Sequence, residues 1–566
     1  MAKARLGSSL LDESEEDILA VVSENQNLLD SDSALLYYGN DNNNVYNSDD
    51  HGLQNNNRLS FSKSRIENDN YYLFRNDNYF DNNHKRHLGM MSVAVVMISK
   101  ILGSGIFAAP ALIYKDCGGS PFLFFTVWVV AGLLGFSGLY VFLELSSIIS
   151  KNGGQKVYLQ FIYYKPKMLM SVVFGIYSIL FAFSANNAII FGKYVLASFG
   201  ITEPRETTLR LIAIGLCTFC TLCYGFSIKH GVFFQNFVGG LKILLLLLLA
   251  FCGVFVMLPT SITRIQYPDN NLIQDFFKIK QHVSVSSLTS AIFKATFTFG
   301  GYQTITVFAG EVINPARTLK ISCPIAMLIL FISFLLINLA YLIVIPYDEL
   351  INSNELVGGL LFTKIFGDSI GSRFLGLTIA ICAGGNVLVV TYSAGRMNQE
   401  VFREGFLPFS KKLASNWPYN APFPALMVSL VLNILILSLP MTNDLYNFLI
   451  NLESYPSKFF FALTSIGLLI IGKRYPHIKP AIKAPKIGVW FFTIFSILML
   501  IGPFVGDTND ENKIYAISAV IMLAACFLYW LTYFRILPWI SNYHLVQEEA
   551  ILKDGLTVKV WSKTFD

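Results

Sequence analysis

Lys100-Ile101-Leu102-Gly103-Ser104-Gly105-Ile106-Phe107 interrupts an apolar run that extends from Leu88 to Ile113. A run of that length spans a bilayer as one helix, yet two glycines flanking a serine lower helix propensity near its middle, where no water satisfies freed backbone groups. A second interruption, Phe297-Thr298-Phe299-Gly300-Gly301-Tyr302-Gln303, falls in the run from Leu288 to Gly310. Close helix packing accounts for glycine in either segment alone, because small residues let spans approach. Two Gly-broken segments in corresponding halves of a chain point further, to a binding site at the bilayer midplane. Gly-Ser-Gly followed by a continuing helix offers a positive helix N-terminus and unpaired N–H groups to a carboxylate, and carbonyls freed on the other side of the break take an ammonium. Such a site suits a zwitterion.

The 566 residues are 54% hydrophobic, 14% aromatic and only 14% charged, which excludes a soluble globular class and indicates a polytopic, all-α membrane protein. The net charge of +5 conceals an asymmetry: residues 1–83 hold fifteen Asp/Glu against six Lys/Arg, a balance of −9 that leaves +14 for the remainder. That excess reads as loop charge on the cytoplasmic side and not as a nucleic-acid surface. Of eight cysteines, seven fall within or against apolar runs and only Cys117 reads as an outer-loop residue, so neither a disulfide framework nor a metal site is expected, and no cofactor is implied.

The chain opens with a polar tail, residues 1–83, containing Asn42-Asn43-Asn44 and Asn55-Asn56-Asn57; it reads as disordered and cytoplasmic. It has no signal-peptide pattern, so the first span must direct insertion. Glu24 with Leu28 and Leu29 fits an acidic dileucine sorting signal or chance, and Lys3 and Lys63 are candidate ubiquitin acceptors, making trafficking machinery a candidate partner. Residues 84–538 read as one twelve-helix domain and 539–566 as a cytoplasmic tail. The twelve spans are Leu88 to Ile113, Pro121 to Ile149, Met168 to Phe199, Leu209 to Phe226, Leu241 to Leu258, Leu288 to Gly310, Ile321 to Ile345, Phe374 to Ser393, Phe423 to Leu439, Leu445 to Ile471, Val489 to Val505 and Ile514 to Phe534. Glu453 and Pro456 are expected to interrupt the tenth.

With the amino terminus inside, five inner loops and their edges carry seventeen Lys/Arg, Lys229 and Lys242 among them, against about eight outside. The positive-inside rule then places both termini in the cytoplasm. Nucleophile-elbow, phosphate-loop and His-Glu-x-x-His patterns are absent, which argues against an enzyme or an ATP-driven pump. Helix breaks without polar rings along a pore argue against a channel.

Five ordered motifs carry a resemblance: Gly103-Ser104-Gly105-Ile106-Phe107; Lys151-Asn152-Gly153-Gly154 with Tyr158-Leu159; Phe297-x-Phe299-Gly300-Gly301; Glu311-Val312-Ile313-Asn314-Pro315-x-Arg317-x-Leu319; and Arg403-Glu404-Gly405-x-Leu407-Pro408. From Arg86 onward the chain resembles the L-type branch of the amino acid–polyamine–organocation superfamily. Within it, His87-Leu88-Gly89, Arg396-x-Asn398-Gln399-Glu400 and Asn416-Trp417-Pro418 resemble the fungal methionine permeases, especially the low-affinity type. The resemblance implies a five-plus-five inverted repeat with broken helices one and six and two additional helices. It implies secondary transport of a neutral apolar amino acid by alternating access, proton-coupled or exchanging, at the plasma membrane or at a vacuolar one; a sensor with a transporter fold is the rival. It places the substrate carboxylate on N–H groups around Ser104 and Gly105, and the ammonium against carbonyls of Ile101, Leu102 and Phe297, with Phe297 as the gate and Gly103, Phe299, Gly300 and Gly301 beside it. Animal members pair with a glycoprotein through a cysteine after the third span; Gly200 to Thr208 has none, so no disulfide-linked heavy chain is expected.

Charges inside apolar runs cost roughly 2.5–3.5 kcal/mol each on insertion scales and are functional candidates. Lys100 either snorkels or pairs with a carboxylate such as Glu144, or it replaces the metal cation that sodium-coupled relatives of this fold bind between spans one and eight. Glu144 either pairs with an inner-loop base or relays protons. Glu311 is expected to form a gate ion pair with Arg317 or Arg396, with proton transfer as the alternative. Asn386, after Gly384-Gly385, either bonds between helices or faces the substrate.

Overall fold

The computed structural model describes residues 86–565 apart from 104, 150, 202–203, 257, 259–274, 353–356, 440–442, 477, 505–509 and 553. Expectations for the tail, including Glu24, Leu28, Leu29, Lys3 and Lys63, and for Ser104 fall outside the described residues.

Each apolar run becomes helix because, in a lipid setting, only intrasegment hydrogen bonding satisfies the backbone. The first span is two helices, α1 (Met90–Ile101) and α2 (Gly105–Asp116). Then follow α3 (Pro121–Ile148), a short α4 (Gln155–Ile162), α5 (Leu169–Leu180) and α6 (Ala185–Ser198), α7 (Glu206–Phe226) and α8 (Ile228–Phe255). The sixth span is α9 (Val285–Thr298) followed by a 3₁₀ segment, Tyr302–Glu311. Beyond it lie α10 (Pro315–Val344), α11 (Tyr347–Asn352), α12 (Val357–Phe366), α13 (Asp368–Arg403), α14 (Ser410–Leu413), α15 (Phe423–Ser438), α16 (Asn443–Arg474), α17 (Lys486–Ile501), α18 (Asp510–Leu531) and α19 (Leu537–Ile540). Eight of the resulting spans are long and apolar enough to cross a membrane, and α1, α15 and α17 are shorter apolar helices. With the broken sixth, these elements account for the twelve expected spans of an all-α fold.

Four expectations need correction. The third span is not continuous but unwinds between Leu180 and Ala185, at the kink joining α5 to α6. The tenth is continuous: α16 runs through Pro456, at the cost of one backbone hydrogen bond. The fifth begins at Ile228, not Leu241, which moves Lys242 from a loop edge to mid-helix. Cys117 is fully buried just after α2 and is not an open loop residue. The C-terminal segment also has structure: β1 (Tyr543–Ile551) pairs antiparallel with β2 (Thr557–Phe565), Tyr543 opposite Phe565 and Ile551 opposite Thr557.

The core that holds the breaks in place is aromatic. Trp128 on α3 meets Phe299 edge-on at 5.9 Å and Phe334 on α10 at 6.1 Å, and Phe299 tilts on Phe334 at 5.2 Å. Such contacts add about 0.5–1.5 kcal/mol each beyond area burial.

Candidate functional site

The two breaks meet. α1 ends when Leu102 N and Gly103 N turn back onto Ile98 O and Ile101 O, at 2.7 and 2.9 Å, and α2 restarts at Gly105. In span six, Gly300 N closes onto Phe297 O at 3.0 Å, and Gly301 takes φ +107°, a conformation that favours glycine. Three glycines are small because another span occupies the space. A Cβ on Gly103 would lie 3.3 Å from Asn386 Nδ2, one on Gly105 would lie 3.3 Å from Thr298 Oγ1, and one on Gly301 would lie 2.8 Å from Lys100 Cγ. The N-terminus of α2, whose first N–H groups have no acceptor in their own helix, therefore opens beside the carbonyl ends of α1 and α9. That juxtaposition offers donors to an anion and acceptors to a cation within one gap.

Asn386 on α13 faces this gap and also bonds between helices: its Nδ2 donates to Lys100 O at 2.9 Å, while its buried Oδ1 has no partner among the described residues. Phe297 is 53% exposed at the end of α9. Phe299, expected beside the substrate, is turned the other way and fully buried among Trp128, Phe331 and Phe334. The Ile101 and Phe297 carbonyls each already accept one turn N–H, leaving their second lone pairs for a ligand.

Sequence reasoning missed Lys242. It is completely buried on α8, and its ammonium donates to Ser99 O at 2.6 Å, at the carbonyl end of α1. A Cβ on Gly385 of α13 would come within 2.7 Å of Lys242 Cδ. The cation held among spans one, five and eight is thus Lys242, whereas Lys100 lays its stem along Gly301. The available signal was Gly239-Gly240 just before it, which keeps α8 small where α1 crosses: a Cβ on Gly239 would sit 2.2 Å from Val95 Cγ1.

Glu144 lies against the loop before α17. Its Oε2 accepts from Ala484 N at 2.7 Å, and Lys483 is the nearby positive charge. Glu311 pairs with Arg396 at 2.7 Å and lies 3.5 Å from His87 Nε2, and Tyr392 OH donates to its carboxylate. Arg317 is exposed and has no ion pair among the described residues, so of the two arginines it is Arg396 that pairs with Glu311. Around this buried pair the motifs become one lock. Glu311 O accepts from His87 N and Leu88 N at 2.9 and 3.0 Å, and Ile313 N donates to Leu88 O at 2.9 Å. Asn152 Oδ1 accepts from Gly310 N at 2.9 Å, and Gly153 N donates to Val307 O at 3.1 Å. Arg396 is steadied by Gln399, itself tied to Ala414 O and Asn416 Oδ1, while Tyr224, Tyr392 and Phe308 stack at 5.0 and 4.5 Å.

The Arg403-Glu404-Gly405 motif anchors the hairpin. Glu404 takes Lys156 at 2.5 Å and Lys559 at 3.1 Å, Trp561 Nε1 donates to Glu404 O, and Arg403 Nε donates to Thr557 O. Burial alone would raise the Glu404 carboxyl, but the two ammonium groups hold it well below the usual carboxylate range.

Residues 88–530 match the amino acid permease family. The chain is 38% identical over 487 residues to the low-affinity methionine permease of Saccharomyces cerevisiae, covering 84% of this chain and 88% of that one. It is 31% identical over 493 residues to that organism's high-affinity methionine permease, covering 85% of each. It is 23% identical over 465 residues to the b(0,+)-type amino acid transporter 1 of Mus musculus, covering 80% of this chain and 89% of that one. With two broken spans meeting at one gap and a family match across nearly all its helices, the chain belongs to the amino acid permease family and is a multi-pass membrane transporter, not an enzyme.

Proposed function

We propose that this permease imports a neutral apolar amino acid, methionine foremost, by alternating access coupled to protons. The observation that carries the reading is the meeting of the α2 N-terminus with the carbonyl ends of α1 and α9. The carboxylate would lie on the first N–H groups of α2, with Ser104 beside them, and the ammonium against carbonyls of Ile101, Leu102 and Phe297. An apolar side chain would extend past Phe297, whose exposed ring is free to close over it. Methionine is favoured by the two yeast relatives.

The basic end is assigned to the cytoplasm by the positive-inside rule, with both termini there and the plasma membrane as the site of action. On that assignment the Glu311–Arg396 lock closes the inner side, and the arrangement is outward-facing. Lys242 is the coupling residue: an ammonium buried on one carbonyl stabilises the α1 end when charged, and releasing its proton inward would loosen spans one, five and eight together.

Competition of labelled methionine uptake by other amino acids, at acidic and neutral external pH, tests the reading. Uptake driven by external acid and inhibited by neutral apolar amino acids is expected. In Lys242→Met, acid-driven accumulation should vanish while exchange of internal for external methionine persists; full pH-driven accumulation in Lys242→Met would reject the coupling role. Binding of methionine without any uptake would identify a sensor.

A further inference from the structure

Lys458 lies near the middle of α16, about 22–24 Å from either helix end and inside its apolar stretch Tyr455–Arg474, which is long enough to cross a membrane. It is half-buried, and among the described residues it has no ion pair and no hydrogen bond. Its ammonium faces two aromatic rings, 5.8 Å from the centroid of Phe293 and 5.7 Å from that of Phe461. Those rings locate it. Phe293 is one helical turn before Phe297 on α9, and Phe461 stacks at 6.3 Å on Tyr302, the residue that follows Gly301. A cation whose contacts among the described residues are two ring faces thus stands between span ten and the broken span six, against a ring one turn before the exposed Phe297.

An ionisable side chain inside a membrane-spanning helix, with no carboxylate partner among the described residues, is costly and is a functional candidate by default. Two ring faces compensate a lysine only in part. We infer that Lys458 is the charge filter at the side-chain end of the substrate site: its fixed ammonium disfavours cationic side chains and admits neutral ones, including electron-rich groups such as a thioether. The carboxylate and ammonium of every amino acid are handled alike by the helix ends, so discrimination between lysine and a neutral isostere of similar length must come from the side-chain end. Lys458 is a charge in that position, and unlike Lys294 beside Phe293, which pairs with Asp116, it has no carboxylate partner among the described residues. The inference rests on the amino acid permease reading and adds the substrate class to it.

The test compares the full-length chain with Lys458→Met and Lys458→Arg, each purified and reconstituted, in labelled methionine uptake challenged by unlabelled lysine or norleucine. In the wild type norleucine should inhibit and lysine should not. In Lys458→Met the ratio of lysine to norleucine potency should rise about tenfold, with the methionine KM within about threefold of wild type, and Lys458→Arg should keep the wild-type ratio. Displacement of labelled methionine from detergent-purified protein reads the same ratio if a variant binds without transporting, and Lys458→Gln replaces Lys458→Met if the latter does not fold. An unchanged ratio in Lys458→Met and Lys458→Gln, or a relaxed ratio in Lys458→Arg, would overturn the inference. A wild type that takes up and binds no amino acid would instead overturn the permease reading.

Discussion

At the end of the bundle that carries the Lys/Arg-rich loops, Glu311 is wholly buried and takes Arg396 at 2.7 Å; on the other side of the breaks an ion pair between the two broken spans, Asp116–Lys294 at 2.6 Å, has side chains 21% and 36% exposed. The pairs differ in what they join as well as in burial. Asp116–Lys294 links α2 to α9, the second half of span one to the first half of span six. Glu311–Arg396 links span six to span eight and, on the alternating-access proposal, crosses the surface along which the two would separate. A buried pair broken by removing one partner leaves an uncompensated charge, at about 3–5 kcal/mol, whereas an exposed pair contributes about 0–1 kcal/mol. Stored strength at one end and looseness at the other suit a machine resting with one door shut, in which ion pairs serve as latches only where they cross the moving surface.

The largest expected effect is therefore Glu311→Gln. Arg396 would be left buried without its counter-charge, and methionine uptake should fall about a hundredfold, with a cysteine introduced on the 3₁₀ segment becoming reactive to inner-side thiol reagents. Uptake near the wild-type rate would show that the lock is ornamental. Phe297→Ala comes next: turnover should drop about tenfold with less than about threefold change in binding, and equal losses in both would make Phe297 pocket wall and not gate.

Smaller again is Glu404→Gln, which removes the carboxylate shared by Lys156 and Lys559 and should expose the β1–β2 hairpin to protease while uptake changes by no more than about threefold. Because the folded Glu404 carboxyl is held below its unfolded value, its contribution is present above the ordinary carboxylate range and is lost only as pH falls through the folded value. Protection of the hairpin should accordingly be constant from about pH 5 to pH 8. A loss of protection within that window would contradict the assignment. The smallest effect belongs to Asp116→Asn, expected to leave uptake within about twofold; a large loss would mean that the outer pair is a latch too, and the contrast between the ends would collapse.

Much of this was legible in the residues. Gly103 and Gly105 around a serine, and Gly300-Gly301, mark backbone breaks because few residues other than glycine tolerate both the turn and the neighbouring span, and period-free apolar runs mark the helices that flank them. What escaped depends on contacts distant in sequence. Lys242 looks like a loop charge because the hydropathy of Ile228 to Gly240 is modest, and only the packing of α8 on α1 shows that its ammonium is buried on Ser99 O. Phe299 sits two residues from Phe297, yet a helical rotation of about 200° sends it to the opposite side, into the Trp128 cluster. The choice between Arg317 and Arg396 for Glu311 could not be read from spacing, since Arg396 comes from a helix 85 positions onward in the chain. The hairpin was missed because its strands bury little apolar surface themselves and are held by Glu404, Arg403 and Trp561.

The central claim is that the substrate lies where the α2 N-terminus meets the ends of α1 and α9, and Gly105→Val tests it most directly. A valine there meets the Thr298 side chain, whose Oγ1 would be 3.3 Å from the new Cβ, and so crowds the approach of α2 to α9 at the gap. Labelled methionine uptake and binding should be measured for wild type and Gly105→Val in proteoliposomes with matched protein content and intact hairpin protection. The account predicts acid-driven accumulation by the wild type and loss of both binding and uptake in the variant; near-normal uptake by a correctly inserted Gly105→Val would place the substrate elsewhere.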